Sequence, residues 1–107
     1  MRICIVGAGS VGGVLGAKLA AAGHAVSLVA RGDHLAAIRA EGLGLKDADG
    51  VRRFELAASE DPGDFGPQDA VFVALKAYSI APMLPRLAPL LTPDTLSLIH
   101  ISEPTRH

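Results

Sequence analysis

Residues 2–22 form the stretch RICIVGAGSVGGVLGAKLAAA, which carries the clearest indication of the fold. Its first part, Arg2–Val6, is short, rich in β-branched residues and bounded by glycine, which predicts a buried β-strand. Beyond the glycines, apolar residues recur every four positions over 11–22, and small residues fill the same side, which predicts a helix that packs closely on a sheet. The stretch therefore predicts a strand, a glycine turn and a helix in direct succession.

The glycines in this stretch form the motif Gly7-x-Gly9-x-x-Gly12. Gly7 permits the tight turn, Gly9 lets the backbone approach a pyrophosphate without a Cβ in the way, and Gly12 lets helix and strand pack closely. Because the motif follows a predicted strand and opens a predicted helix, it favours a dinucleotide-binding site. A glycine-rich turn that has lost its ligand is the alternative.

The residues between the glycines complete the predicted phosphate-binding turn. Ala8, Ser10 and Val11 stand at or just before the start of the helix, whose first N–H groups and positive dipole end favour phosphate. They are included in the predicted cofactor site for that reason.

The rest of the chain predicts alternating strands and helices. We expect further core strands at 25–30 and 69–75, and a short helix at 34–41 that is capped by Asp33. A hairpin is expected at 43–57, a loop at 59–68 and a helix interrupted by prolines at 79–91. The order of these elements predicts an α/β fold, a Rossmann-type parallel sheet with flanking helices that is incomplete at its last strands.

Composition narrows the function classes. Of 107 residues, 50% are hydrophobic, and ten Lys and Arg stand against eleven Asp and Glu. This composition argues against a disordered chain and against a nucleic-acid partner, because no basic excess is present to cover phosphates. The longest uncharged stretch, 3–17, is too short and too rich in glycine to span a membrane. With a single cysteine, Cys4, the chain is expected to be cytoplasmic.

The end of the second strand predicts the choice of cofactor. Enzymes that use NAD usually place a carboxylate there to bind the ribose 2′-hydroxyl. This chain has Arg31, whose guanidinium suits a 2′-phosphate, so NADPH is expected; Asp33 is the rival acid, and a solvated Arg31 is the alternative. Lys76 ends the third core strand, where ligands of open α/β sheets bind, although a strand-end lysine is often only solvated.

The tail has a different origin in our interpretation. Residues 96–106 read LSLIHISEPTR, which is the translation, residue for residue, of a transposase-end sequencing adaptor. We therefore expect natural sequence over 1–95 and a non-native tail over 96–107. Because residues 95–101 are apolar and β-prone, we also expect this tail to form the next parallel strand and to bury its leucines and isoleucines.

Three segments carry a resemblance to the N-terminal domain of the ketopantoate reductase family. They are GAGxxG, LVARGxHL and LKAY, at residues 7–12, 28–35 and 75–78. The resemblance implies that Gly7, Gly9, Gly12 and Arg31 bind NADPH and that Lys76 lies in the cofactor–substrate cleft.

The resemblance also implies an activity, the reduction of 2-dehydropantoate to pantoate in pantothenate biosynthesis, with a small 2-keto acid as the substrate. The family's Asn-Gly pair would fall near 101–103, where the tail stands, and its catalytic lysine belongs to a C-terminal domain. The catalytic residues are therefore unknown in this chain, which we expect to be inactive alone. The full-length protein could be a homodimer. Two other functions remain open: a paralogue that acts on another 2-keto acid, and a nucleotide-sensing regulatory module, although Arg31 counts against the module.

Overall fold

The computed structural model describes residues 1–7 and 10–102, with the side chains of all of these except 10, 11, 47 and 100–102. It contains seven strands, three α-helices and two 3₁₀ helices within that part of the chain. The strands are β1 (Arg2–Val6), β2 (Ala25–Val29), β3 (Leu43–Asp47), β4 (Gly50–Phe54), β5 (Ala57–Ser59), β6 (Ala70–Lys76) and β7 (Leu96–Ser102). The helices are α1 (Ser10–Ala21), α2 (Gly32–Glu41) and α3 (Ala77–Met83), and the 3₁₀ helices are Pro62–Asp64 and Leu84–Leu90.

Five strands form one parallel sheet in the order β5-β2-β1-β6-β7. Strands β3 and β4 pair separately as an antiparallel hairpin, as predicted for 43–57. The predicted α/β class with a parallel sheet and flanking helices is confirmed. The strand order places β1 between β2 and β6, so the glycine turn after β1 lies at the middle of the sheet.

Strand β1 is buried on both of its faces. Ile3 and Ile5 face one hydrophobic cluster, which includes residues of α1, α2 and the hairpin. Cys4 and Val6 face a second cluster, which includes Leu87 and Leu90 of the second 3₁₀ helix. Since neighbouring residues of a strand point to opposite faces, the buried part of β1, residues 3–6, needs apolar side chains on both faces, and its sequence supplies them. Arg2, at the start of the strand, is exposed.

Two local predictions are wrong. Asp33 lies in the first turn of α2 rather than at its N-cap. The chain turns at Gly32, which has a φ of +62°, and the helix starts two residues earlier than predicted, with Arg31 at the N-cap position. The predicted loop over 59–68 begins inside strand β5, whose residues Ala57–Ser59 pair with β2.

The prolines break the predicted helix over 79–91 as expected. The α-helix ends at Met83, and a 3₁₀ helix continues over Leu84–Leu90 with Pro85 in its first turn. Because proline has no N–H to donate and its ring clashes with the preceding turn, it favours this change of helix type. The result is a short α3 followed by a separate 3₁₀ helix, which contributes Arg86 to the candidate site.

Strand β7 occupies the position predicted for the tail, parallel to β6 at the edge of the sheet. The prediction that its leucines and isoleucines are buried is wrong for Leu96, Leu98 and Ile99, and the side chain of Ile101 lies outside the described residues. Leu98 and Ile99 are 51% and 56% exposed, although they point to opposite faces of the strand. Within the described residues, no helix covers either side chain closely enough to bury it.

Candidate functional site

A cleft of about 580 Å³ opens at the edge of the sheet where β1, β2 and β6 end. Such a volume is within the range of small-molecule sites, and the carboxyl ends of parallel strands are where α/β sheets bind ligands. Apolar groups from β1, β2, β6 and α3 line it, and the polar residues around it are Arg31, His34, Glu60, Lys76, Tyr78, Ser79 and Arg86.

Gly7 forms the turn at the centre of this cleft. Its φ is +91°, in the left-handed region that favours glycine. A Cβ on Gly7 would collide with the carbonyl oxygen of Ala74 and would lie 2.7 Å from Leu75 Cδ2. Gly7 is therefore required both for the φ of the turn and for the close approach of β6, and the tight turn predicted for it is observed.

Gly12 acts behind this turn rather than in the cleft. It is buried, and a Cβ there would collide with the carbonyl oxygen of Gly7 and approach Ile5 Cγ2 to 3.2 Å. The close packing of helix on strand predicted for Gly12 is thus observed. Of the other predicted residues, Ser10 and Val11 contribute backbone to the first turn of α1, and Ala8 and Gly9 lie outside the described residues.

Arg31 lines the cleft at the end of β2, where the sequence placed it. Its backbone is extended, with a φ of −148° and a ψ of 167°, and its carbonyl oxygen accepts a 3.4 Å hydrogen bond from the Leu35 N–H of α2. Its side chain makes no capping hydrogen bond to the helix. The guanidinium is therefore available to an anion in the cleft. Asp33, the rival acid, is not among the described residues that line the cleft.

Lys76 also lines the cleft, at the junction of β6 and α3. It is the N-cap residue of α3, and its side chain is exposed and makes no capping bond. The strand order sets Lys76 one strand away from the glycine turn and two strands away from Arg31. The two predicted cations thus flank the turn from opposite sides.

Five polar cleft residues were not among the predicted site residues: His34, Glu60, Tyr78, Ser79 and Arg86. Of these, Glu60 and Arg86 contact each other. Glu60 follows β5, and its carbonyl oxygen accepts a 3.1 Å hydrogen bond from the guanidinium of Arg86 in the second 3₁₀ helix. The loop after β5 is held by Ser59, whose hydroxyl donates to Asp64 and accepts from the Asp61 N–H at 3.1 Å. A local sequence pattern could not indicate this pair, because the chain separates the two residues by 26 positions.

The charge of the cleft favours an anionic ligand. Three cationic side chains, Arg31, Lys76 and Arg86, line it with one carboxylate, that of Glu60. A dinucleotide with a pyrophosphate, or with an additional 2′-phosphate, matches this excess of positive charge. The apolar groups beside the cations, such as Pro82 and Met83, suit the flat faces of its bases.

The described residues contain neither a metal-binding cluster nor a membrane-spanning helix. No three His, Cys, Asp or Glu side chains of that part of the chain come together as a metal would require. Within the same residues, none of the helices has the length and hydropathy of a membrane span. Cys4 is fully buried among the valines of the second cluster, and burial raises the pKa of its thiol to about 12.

Comparison with known proteins gives consistent matches over most of the chain. The family model "Ketopantoate reductase PanE/ApbA" matches residues 3–100. A 2-dehydropantoate 2-reductase of Mesorhizobium japonicum is 47% identical over 96 residues, which are 89% of this chain and 29% of that protein. The chain thus spans less than a third of that relative's length.

Solved structures agree with these matches. A PanE/ApbA family ketopantoate reductase of Ralstonia eutropha superimposes with a TM-score of 0.81 at 35% identity, covering 91% of this chain and 33% of that one. A D-mandelate dehydrogenase, solved as a ternary structure with NADH and anilino(oxo)acetate, gives a TM-score of 0.82 at 25% identity, over 94% of this chain and 33% of that one.

Proposed function

The chain belongs to the ketopantoate reductase family, and from that premise we propose that it is the NADPH-binding part of an oxidoreductase that reduces 2-dehydropantoate to pantoate. One observation carries the proposal: the glycine turn at Gly7 opens into a cleft whose two sides present Arg31 and Lys76. A dinucleotide is the ligand whose pyrophosphate and nucleoside ends match that arrangement.

The residues of this chain would bind and orient the cofactor. The turn at Gly7 and the N-terminus of α1 would hold the pyrophosphate, since free N–H groups and the helix dipole both favour its charge. Arg31 would hold the adenosine end with its 2′-phosphate, and Lys76 would bind a negative group on the other side of the turn. When bound, the nicotinamide supplies a hydride to the ketone carbon of the substrate. We assign no catalytic residue to the chain.

A second candidate is the reduction of another 2-keto acid with NADH. The similarity to a D-mandelate dehydrogenase bound to NADH supports this alternative. Arg31 and the cationic cleft favour NADPH over NADH, because NADH lacks the 2′-phosphate that would use the additional charge. The keto acid itself is not distinguished by the residues of this chain.

The binding proposal is tested by calorimetric titration of the 107-residue chain with NADPH, NADH and 5′-AMP. We expect saturable binding of NADPH that is tighter than binding of NADH, and weaker binding of 5′-AMP. If NADH bound more tightly than NADPH, the choice of cofactor would be wrong and the second candidate would be favoured. Absence of binding by any of the three would overturn the dinucleotide site altogether.

We also propose that the natural part of this sequence ends at Thr95 and that residues 96–107 are a non-native tail, because 96–106 match the translated adaptor. The uninterrupted gene downstream of codon 95 tests this and the activity together. We expect a helical domain that carries a lysine and polar substrate ligands, and its product should oxidise NADPH when 2-dehydropantoate is added. Activity only with the 2-keto acid formed from mandelate would favour the second candidate.

A further inference from the structure

Arg86 lines the cleft, and its observed hydrogen bond leaves the positive charge of its guanidinium without a negative partner. It lies in the 3₁₀ helix Leu84–Leu90 and is exposed, and its guanidinium donates to the carbonyl oxygen of Glu60 at 3.1 Å. A carbonyl oxygen is neutral, so this bond positions the guanidinium without neutralising it. The remaining N–H groups of the side chain can bind an anion in the cleft.

The contacts around Glu60 place Arg86 at the β2 side of the cleft. The carbonyl oxygen of Ser59 accepts a 3.0 Å hydrogen bond from the Ala30 N–H, so the residue before Glu60 is bonded to the residue before Arg31. Arg86 is then bonded to Glu60 itself. These hydrogen bonds bring Arg31 and Arg86, which are 55 positions apart in the sequence, to the same end of the cleft.

In sheets of this type the nucleoside ribose lies at the end of the second strand. We infer that Arg86 is a second guanidinium ligand of the adenosine 2′-phosphate, which acts beside Arg31 and raises the preference for NADPH over NADH. The inference rests on the proposed dinucleotide site. A phosphate dianion can accept from two guanidiniums at once, since each presents parallel N–H donors.

The test compares Arg86→Met with Arg39→Met in titrations of the full chain with NADPH and NADH. Methionine keeps the apolar part of the side chain and removes its charge. Arg39 is a matched control, because its guanidinium also donates to a carbonyl oxygen next to this loop, that of Ala58 at 3.2 Å, but it does not line the cleft. We expect Arg86→Met to raise the Kd for NADPH about fivefold and to leave the Kd for NADH nearly unchanged. Arg39→Met should change neither.

Each other outcome overturns the inference in a recognisable way. Equal losses for NADPH and NADH would mean that Arg86 only braces the loop at Glu60. An unchanged Kd for NADPH in Arg86→Met, with normal binding by the unmodified chain, would reject Arg86 as a ligand and leave the proposed function intact. If the unmodified chain bound neither cofactor, both would fail. As a further check, Arg86→Lys should retain part of the preference for NADPH because it keeps the charge.

Discussion

The backbone N–H of Gly7 donates a 2.9 Å hydrogen bond to the carbonyl oxygen of Val29. This bond joins the glycine turn after β1 to Val29, the last residue of β2, which lies two residues before Arg31. The turn and the predicted adenosine-binding end of the cleft are therefore parts of one backbone framework. Substitutions that disturb the turn should affect both stability and cofactor binding, whereas substitutions of the side chains at the rim should affect binding alone.

Gly7→Ala should destabilise the chain much more than Gly23→Ala. The two glycines have nearly the same φ, +91° and +95°, but a Cβ at Gly7 would collide with backbone of β6, whereas none of the described atoms lies within 4 Å of a Cβ at Gly23. We expect a loss of about 1 kcal/mol at Gly23 from the unfavourable φ, and about 2–4 kcal/mol at Gly7, where overpacking is added. Urea denaturation measures both. Similar losses at the two positions would show that β6 moves away without cost.

Arg31→Ala should weaken NADPH binding by about 1–3 kcal/mol, because charge-assisted bonds to the 2′-phosphate are lost. Binding of NADH should change much less. Asp33→Asn is the matched control on the same turn: since Asp33 does not line the cleft, this substitution should leave the affinity for NADH unaltered. Titration with the two cofactors distinguishes the cases. A large loss of NADH affinity in Asp33→Asn would instead identify the acid as the ribose ligand.

Cys4 should make the stability of the chain fall above pH 9. Burial raises the pKa of its thiol from 9.0 to about 12, so between these values the unfolded chain loses a proton that the folded chain retains. The stabilising effect is complete below pH 9 and is lost as the pH rises toward 12. Thermal unfolding between pH 8 and about 11 should therefore show a steeper fall in Tm for the unmodified chain than for Cys4→Ala. Parallel curves would mean that the folded thiol ionises normally.

The same burial predicts that the Cys4 thiol is unreactive in the folded chain. Its exposed fraction is 0%, and a neutral buried thiol is a poor nucleophile. A disulfide reagent at pH 8 should modify it only when urea is added. Rapid modification without denaturant would show that the sheet opens readily at β1.

The chain should self-associate through β7. Leu98 and Ile99 expose more than half of their surface on opposite faces of an edge strand, and exposed apolar edge strands favour association between chains. The double substitution of both residues by lysine should lower light scattering and yield more monomer. Val51→Lys is the control, since Val51 is 57% exposed but lies on the separate hairpin. Equal improvement by the control would mean that added charge alone, not the edge of the sheet, determines solubility.

Much of the architecture was predictable because it depends on local patterns. Strands β1 and β6 were found within one residue of their bounds, since they are runs of apolar residues bounded by glycine or charge. Strand β5 was missed because its sequence, Ala57–Ser59, has little strand preference of its own. Its backbone becomes a strand only because β2 offers it unpaired N–H and C=O groups.

The residues of the candidate site likewise fall into two groups, those that local patterns predict and those that contacts between distant segments bring together. Local sequence patterns predicted the glycine turn and the positions of Arg31 and Lys76, because each lies at the end of a strand whose apolar pattern is readable from neighbouring residues. Contacts in the folded chain were needed to show that Glu60 and Arg86 share the cleft, that Asp33 does not line it, and that β7 is exposed on both faces. These outcomes depend on which strands pair and on what covers them. Contacts between distant segments of this kind leave no periodic pattern in the amino-acid sequence.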